Sequence, residues 1–246
     1  MTILTYHAVD PLWTGALSVH PAPFEAQIAW LVSHRRVVPL TELLDRCPDG
    51  VSNELVALTF DDGFSSVVQH ALPVLARSDV PFTVFLIAKM YDGSASSVDW
   101  VDRPPGHPLR TLDPSEIRRL RSYGASFGSH SYVHADMTTL GYDAALADLV
   151  RSRDILEELL GEDVTSLAYP RGRHDDDVRR AAAAAGFTSA FGLAVAREIR
   201  GAYALPRVGI YPPDTGWSLR LKTAPVYGRL RASPRYHSLR RRIQRH

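Results

Sequence analysis

The stretch that decides the fold of this chain is an apolar segment ending in two adjacent carboxylates, Val56-Ala57-Leu58-Thr59-Phe60-Asp61-Asp62-Gly63-Phe64. Like charges placed side by side are unfavourable unless a cation or a shared proton compensates them. A strand end of this kind therefore indicates a metal site or an acid–base pair. The structural alternative is that Asp62 only caps the helix predicted to begin near Ser65.

Outward from this strand, apolar strands and amphipathic helices alternate. Predicted helices begin near Pro23 and cover residues 65–77, 114–122, 142–160 and 175–185; predicted strands cover 3–7, 37–40, 55–60, 82–88, 125–128, 167–169, 189–193 and 203–210. Such alternation is typical of parallel strands with helical connections. About seven strands predict an irregular α/β barrel, (β/α)7, with its chemistry at the carboxyl ends of the strands.

A second polar cluster follows the strand at residues 125–128. It reads Ser126-Phe127-Gly128-Ser129-His130-Ser131-Tyr132-Val133-His134 and places two imidazoles four residues apart. That spacing lets both rings reach one ion from a helical turn, although it also occurs by chance. Together with the Asp-Asp strand end it favours a metal site.

A third segment, Ser166-Leu167-Ala168-Tyr169-Pro170-Arg171-Gly172-Arg173, is an apolar strand interrupted by Pro and Gly. With these three motifs in this order, residues 3–210 resemble the polysaccharide deacetylase family, carbohydrate esterase family 4, also called the NodB homology domain. Thr59 to Gly63 and His130 to His134 match its first two motifs without substitution. The resemblance implies a deacetylase-like (β/α)7 barrel.

The resemblance implies a role for each matching position. Asp61 corresponds to the catalytic base, and Asp62, His130 and His134 correspond to the metal ligands. Two His and one carboxylate leave coordination positions open for water and substrate, as hydrolysis requires. The expected ion is Zn²⁺, or another divalent metal such as Co²⁺, Ni²⁺ or Mn²⁺.

Two motifs depart from the most familiar family pattern. Ala168 stands where an Arg often orients the catalytic Asp, and the late L-x-H motif appears as Leu205-Pro206-Arg207, without its His. We expect Arg207 to orient Asp61 instead. The start Tyr6-His7 resembles the exopolysaccharide N-deacetylase branch, and His7 is our candidate general acid, because its pKa can lie near neutrality. The alternative is a strand-end His bonded to backbone.

Four residues are assigned to substrate binding. Arg171 and Tyr169 belong to the third motif, with a backbone N–H near Arg171 expected at the oxyanion; Leu205 corresponds to a residue lining the acetyl methyl pocket. Trp100 lies in a long Gly- and Pro-containing connection, residues 91–113, and could stack on a sugar face. An aromatic residue in such a loop can equally be a packing anchor.

Composition agrees with one catalytic domain. The chain has 246 residues, 45% of them hydrophobic, and a single cysteine, Cys47, which excludes an internal disulfide. No segment resembles a signal peptide or an apolar run of about 18 residues that could span a bilayer. We therefore expect a catalytic domain at residues 1–217 in the cytoplasm.

The remaining residues, 218–246, form a basic tail with nine Lys or Arg and no acidic residue. The rest of the chain then holds 19 of the 28 basic residues against all 27 acidic ones, a net charge of −8. Such a tail is expected either to bind an anionic membrane at its inner face or to fold back on the acidic body. Nucleic acid is the other external partner that a basic tail can bind, and we expect the tail to bind lipid in preference to nucleic acid.

The sequence thus predicts a metal-dependent hydrolase that removes N-acetyl groups from an acetylated amino sugar or polysaccharide. An O-acetyl carbohydrate esterase would use the same residues, and a non-catalytic carbohydrate-binding barrel would need none of them. A membrane or nucleic-acid adaptor acting through the tail is the remaining alternative.

Overall fold

The computed structural model describes residues 2–47, 54–94, 97–193, 201–224 and Tyr227. The strands in that part of the chain are β1 (Thr2–Tyr6), β2 (Ala8–Val9), β3 (Ser18–Val19), β4 (Arg36–Val37), β5 (Leu55–Phe60), β6 (Phe82–Leu86), β7 (Ala125–Ser129), β8 (Ser166–Ala168), β9 (Ser189–Leu193) and β10 (Leu205–Gly209). The helices are α1 (Pro21–His34), α2 (Leu40–Arg46), α3 (Leu72–Arg77), α4 (Pro114–Ser122), α5 (Tyr142–Leu160), α6 (Asp176–Ala184) and α7 (Gly216–Lys222). Among these residues no helix has both the length and the apolar character needed to cross a membrane.

Seven parallel strands close into a barrel in the order β1, β10, β9, β8, β7, β6, β5 and back to β1. The pairing of β1 with β5 runs in register from Thr2 opposite Val56 to Tyr6 opposite Phe60. The short β4 adds to the beginning of β5, and β2 pairs with β3 outside the barrel. The predicted (β/α)7 barrel is therefore confirmed.

Strand alternation divides the apolar residues into two layers, because successive side chains point to opposite faces. Tyr6, Phe60 and Leu58 face outward and pack with Phe24 and Ile28 of α1. A second cluster fills the lower part of the lumen and comprises Ile3, Ala57, Phe85, Ala168 and Phe191, with Leu205 packed against it and Leu40 and Leu43 of α2 joining it. The lumen is thus packed, and only its carboxyl end is left for chemistry.

Two elements differ from the sequence prediction near the start of the chain. The strand predicted to end at His7 ends at Tyr6, so His7 lies just after it, between β1 and β2. The strand predicted at residues 37–40 is only Arg36–Val37, and Leu40 begins α2 instead. The helix forms because Leu40 and Leu43 gain burial in the inner cluster.

The domain boundary predicted after residue 217 stays a prediction, and it falls inside a helix. Residues 216–222 form α7, whose Leu219 is fully buried. Arg35, which directly follows α1, donates from Nε to the hydroxyl of Thr223, and Lys222 pairs with Asp214 at 2.5 Å. The start of the predicted tail therefore belongs to the folded body, and most of its charges lie outside the described residues.

Candidate active site

Asp61 continues the lumen-facing side of β5 and is paired with Arg207 of β10. The guanidinium donates to both carboxylate oxygens, at 2.6 Å to Oδ1 and 2.8 Å to Oδ2. The same guanidinium contacts the hydroxyls of Thr5 and Thr59 and lies 5.3 Å above the ring of Phe85. Arg207 is only 1% exposed, so its charge is compensated inside the barrel.

This pairing determines the ionisation of Asp61. Burial alone would raise its pKa, but the charge of Arg207, its hydrogen bonds and the nearby His130 outweigh burial and hold the pKa well below its usual range. An ionised carboxylate with two guanidinium hydrogen bonds keeps a fixed orientation. Asp61 is therefore an ionised carboxylate held in one orientation at the mouth of the barrel.

His7 lies beside Asp61 at the mouth of the barrel. Its Nε2 is 4.0 Å from Oδ2 of Asp61, and its side chain lines the main cavity. Burial lowers the pKa of His7 to about 4, with Asp61 opposing this shift and His130 and Arg207 adding to it. The resting imidazole is therefore neutral at physiological pH.

Asp62, His130 and His134 meet on the other side of the mouth. Their potential ligand atoms all lie within 4.8 Å of one another. Oδ1 of Asp62 is 3.6 Å from Nε2 of His130 and 3.5 Å from Nε2 of His134. Two imidazole nitrogens directed at one carboxylate oxygen form the donor set that Zn²⁺ and similar cations prefer.

The backbone reaches this arrangement through turns with positive φ, not through the expected helical turn. Asp62 (φ 66°), Ser131 (φ 68°) and His134 (φ 59°) lie in the left-handed region. The hydroxyl of Ser131 accepts a hydrogen bond from the His134 backbone N–H, and that of Ser129 accepts one from the Ser131 N–H. Non-Gly residues with positive φ are uncommon and often mark functional sites.

The surroundings of the three residues fit a cation. Nδ1 of His130 lies 2.7 Å from the Ala168 carbonyl, which makes it the protonated nitrogen and leaves Nε2 as a lone-pair donor. Oδ1 of Asp62 and Nδ1 of His134 are buried without a hydrogen bond from any described residue. Burial and the neighbouring Asp61 raise the pKa of Asp62 well above its usual range, and burial lowers that of His134 to about 2. A bound cation would remove the unfavourable burial of that carboxylate charge.

The site opens into a cavity of about 790 Å³. Its floor holds Asp61, Asp62 and the two histidines, and its walls come from residues 12–17 and from the connection at 100–106. Nε1 of Trp13 donates to the Arg103 carbonyl at 3.2 Å, and His107 pairs with Asp10 at 3.0 Å. These contacts hold the long connection over the barrel mouth.

Two of the four residues assigned to substrate binding line this cavity, Arg171 and Trp100. Arg171 has φ 57° and lies at the rim, where its guanidinium is 3.7 Å from Asp102. Gly172 follows with φ 66°, and a Cβ there would lie 2.5 to 2.7 Å from Leu193 atoms, so this turn requires glycine.

Tyr169 and Leu205, the other two residues assigned to substrate binding, are not among the residues that line this cavity, and their assignment stays a prediction. Tyr169 points outward next to Ala168, is fully buried and donates from its hydroxyl to the Tyr203 carbonyl. Leu205 lies two residues before Arg207 on the same strand, so it faces the lumen deeper down, against the inner cluster. The apolar wall of the cavity is formed instead by Leu12, Trp13, Leu17, Trp100, Val101 and Leu193.

Sequence reasoning missed the contribution of residues 12–17. Trp13 stacks edge-on against Phe64, with ring centroids 5.6 Å apart, directly after the Asp61-Asp62 motif. The only available signal was an aromatic residue in a short Gly-containing segment between two strands. That pattern is equally common in ordinary loops.

Comparison with known proteins agrees with the geometry. The model of the polysaccharide deacetylase family matches residues 49–190, more than half of the chain. A Bacillus subtilis protein whose name assigns it provisionally to the polysaccharide deacetylases is 26% identical over 221 residues, 88% of this chain and 73% of that protein. A Staphylococcus aureus poly-β-1,6-N-acetyl-D-glucosamine N-deacetylase is 26% identical over 190 residues, 72% of this chain and 61% of the enzyme.

Solved structures share the fold. A Streptococcus pyogenes deacetylase, PplD, in complex with acetate superposes with a TM-score of 0.77 at 22% identity, covering 92% of this chain and 98% of that one. IcaB from Ammonifex degensii superposes with a TM-score of 0.73 at 23% identity, covering 90% of this chain and 96% of that one. At these identities the likeness concerns the fold alone.

Proposed function

Because the chain belongs to the polysaccharide deacetylase family, we propose that it removes N-acetyl groups from an acetylated amino sugar or polysaccharide with the help of a divalent cation. The observation that carries the proposal is the pair of adjacent carboxylates at the barrel mouth. Asp61 is bound by Arg207, whereas Asp62 shares its buried oxygen with two neutral imidazoles. One carboxylate is placed to accept a proton and the other to bind a cation.

Asp62, His130 and His134 would hold the ion, for which Zn²⁺ is our first choice and Co²⁺, Ni²⁺ or Mn²⁺ the alternatives. When bound, it supplies positive charge that polarises the acetyl carbonyl and favours deprotonation of water. A backbone N–H near Arg171 is proposed as a further hydrogen-bond donor to the carbonyl oxygen.

Asp61 accepts the proton of the attacking water as the water oxygen bonds to the carbonyl carbon. Arg207 holds the pKa of Asp61 well below its usual range, so this proton is readily passed on. The neighbouring His7, 4.0 Å away and neutral at rest, is the proposed recipient. His7 then protonates the nitrogen as the C–N bond breaks, giving acetate and a free amine.

The choice of an N-acetyl sugar rests on relatives that include the Staphylococcus aureus N-deacetylase and a chitin deacetylase of Colletotrichum lindemuthianum. The cavity supports it with an apolar wall beside the polar floor, which suits a methyl group next to a polarised carbonyl.

Acetate release from defined N- and O-acetylated sugars tests the proposal. Purified protein is reconstituted with Zn²⁺, Co²⁺, Ni²⁺ or Mn²⁺ and compared with Asp61→Asn. We expect wild-type protein to release acetate from N-acetylated hexosamine oligomers and Asp61→Asn to release none above background. Release from O-acetyl esters alone would assign an esterase, and no release with any metal would contradict the proposal.

We also propose that the basic tail binds an anionic membrane surface. Seven of its basic residues follow Tyr227, where attraction to acidic lipid contributes roughly 1 kcal/mol per residue near the surface. On the folded body, Trp217 of α7 is 71% exposed, and aromatic side chains of this kind favour the membrane interface.

Truncation after Tyr227 tests this while keeping α7 intact. The truncated protein should bind vesicles containing phosphatidylglycerol more weakly than the full chain, and the difference should shrink as salt rises. Neutral phosphatidylcholine vesicles are the control. Equal binding of both folded proteins to anionic vesicles would remove the membrane proposal.

A further inference from the structure

Tyr211 lines the main cavity, and the proposed mechanism gives it no role. It lies two residues beyond Gly209, the last residue of β10, and it follows Arg207 of the same strand. Side chains alternate along a strand, so Arg207, Gly209 and Tyr211 share the lumen side. Tyr211 is therefore the next lumen-facing side chain above the guanidinium that holds Asp61.

The strand pairing sets Tyr211 against His7. β1 and β10 are parallel, with Thr5 opposite Gly209, and the Ile210 backbone N–H donates to the Thr5 carbonyl at 2.9 Å. Extending this register by two residues on each strand brings His7 opposite Tyr211. Both side chains line the cavity, so they are neighbours at the barrel mouth.

The absence of a side chain at Gly209 lets the phenol of Tyr211 bend over the strand. A Cβ at Gly209 would lie 2.5 Å from the Tyr211 hydroxyl oxygen and 2.8 Å from the ring carbon that bears it. These distances are well inside the roughly 3.5 to 4.0 Å that non-bonded heavy atoms prefer. The backbone itself does not require glycine here, because Gly209 has no positive φ. Gly209 therefore serves to admit the hydroxyl end of Tyr211.

A polar network from α1 and α7 holds the ring and the backbone of Tyr211. Nζ of Lys222 lies 5.2 Å from the ring centroid, and it also donates to the Gly209 carbonyl and to the Asp214 carboxylate. That carboxylate accepts the Tyr211 backbone N–H at 2.7 Å, and the Asp214 carbonyl accepts a hydrogen bond from the buried amide of Gln27. The ring is thus fixed, while its hydroxyl has no hydrogen bond with any residue that the structure describes.

The neighbourhood of His7 determines what this hydroxyl would meet. In the proposed mechanism His7 protonates the nitrogen, whereas the acetyl carbonyl lies toward Asp62, His130 and His134. A side chain next to His7 is therefore on the side of the leaving group, which is the sugar. A phenol can both donate and accept a hydrogen bond, which suits a sugar hydroxyl.

Building on the proposed function, we infer that Tyr211 is a specificity-determining residue whose hydroxyl forms a hydrogen bond with the sugar that carries the acetyl group. A few placed polar groups in a largely apolar pocket determine which ligand it accepts. Loss of one neutral hydrogen bond typically weakens binding by about 2- to 10-fold. An aryl acetate has no sugar, so its hydrolysis should not depend on the Tyr211 hydroxyl.

Two substitutions test the hydroxyl independently. Tyr211→Phe removes it and keeps the ring, whereas Gly209→Ala fills the space that it occupies. Calorimetry measures binding of the N-acetylated trimers of chitin and of poly-β-1,6-N-acetyl-D-glucosamine in an Asp61→Asn background, where the proposed base is missing. KM and kcat are measured without that change, and folding is checked by circular dichroism and thermal unfolding. The matched controls are Tyr123→Phe, at an exposed position after α4, and Gly201→Ala, whose Cβ would meet no atom within 4 Å.

We expect Tyr211→Phe and Gly209→Ala each to weaken trimer binding and to raise KM by about 2- to 10-fold, while aryl acetate hydrolysis and both controls stay unchanged. Gly209→Ala should have no further effect in a Tyr211→Ala background, because the phenol is already gone.

Unchanged trimer binding in folded Tyr211→Phe, no binding of either trimer by the parent protein, or equal slowing of amide and aryl acetate hydrolysis would overturn the inference. Absence of acetate release by the wild-type protein would overturn the proposed function instead. The binding comparison would still decide the role of Tyr211, so the two failures are distinguishable.

Discussion

Asp61 and Asp62 are neighbours in sequence, yet the two halves of the barrel mouth treat them in opposite ways. On the lumen side, Arg207 gives Asp61 two hydrogen bonds and lowers its pKa. On the other side, burial and the charge of Asp61 raise the pKa of Asp62, and its Oδ1 faces two neutral imidazoles and accepts no hydrogen bond from the part of the chain that the structure describes. The difference supports the proposal that Asp61 acts as the base and that Asp62 binds a cation.

The largest effect is expected from substitution of a proposed cation ligand. Asp62→Ala or His130→Ala should lose bound metal and deacetylase activity together, because each removes one of three protein ligands. Metal content is measured by elemental analysis after gel filtration. Stoichiometric Zn²⁺ at wild-type affinity in either variant would show that the ligand assignment is wrong.

Removal of the proposed base, Asp61, should abolish hydrolysis without affecting the cation site. Asp61→Asn should retain the metal and lose hydrolysis of amides and esters alike, since both need a deprotonated water; we expect a loss of at least about 10²-fold. Parallel metal and activity assays check this. Loss of metal in Asp61→Asn would mean that the two carboxylates do not act separately.

The proposed general acid, His7, is expected to be needed for the hydrolysis of amides and not for that of activated esters. An amine leaves poorly unless it is protonated, whereas an activated phenol leaves as its anion. His7→Ala should therefore slow amide hydrolysis by roughly 10²- to 10⁴-fold and spare an activated acetate ester. Equal slowing of both substrates with intact metal content would argue against a general acid at His7 and direct attention to His107.

The smallest expected effect concerns pH. Without Arg207, burial would dominate and the pKa of Asp61 would rise, so less of the base is ionised at low pH. The acidic limb of the profile of kcat/KM against pH should move upward in Arg207→Gln by about 1 to 3 pH units. Arg171→Gln, at the exposed rim of the same cavity, is the matched control. An unmoved limb in folded Arg207→Gln would show that Arg207 does not determine the ionisation of the base.

The local pattern of apolar and polar residues was sufficient to predict the barrel, because strands and helices alternate clearly from β5 to β10. It also pointed to the residues that meet at the mouth, since the carboxyl ends of parallel strands lie at one end of a barrel. The alternation of side chains along a strand explains why two of the residues assigned to substrate binding do not line the cavity. Tyr169 follows lumen-facing Ala168 and so points outward, and Leu205 lies one layer below Arg207.

The walls of the cavity, residues 12–17 and 100–106, could not be predicted in the same way. The contact between Trp13 and Arg103 joins residues 90 positions apart, and that between Asp10 and His107 joins residues 97 apart. Both depend on the packing of two irregular segments, for which periodicity carries no information.

The hydrogen bonds of Arg207 have a consequence for the order in which the enzyme becomes competent. All three proposed cation ligands lie between residues 62 and 134. Arg207, in contrast, comes from β10, the last strand of the barrel, and contacts Thr5 of β1 and Thr59 of β5. A ribosome therefore delivers the cation-binding residues well before the residue that controls the base. In the proposed mechanism, Asp61 thus gains its orientation only when β10 inserts between β1 and β9 and closes the ring.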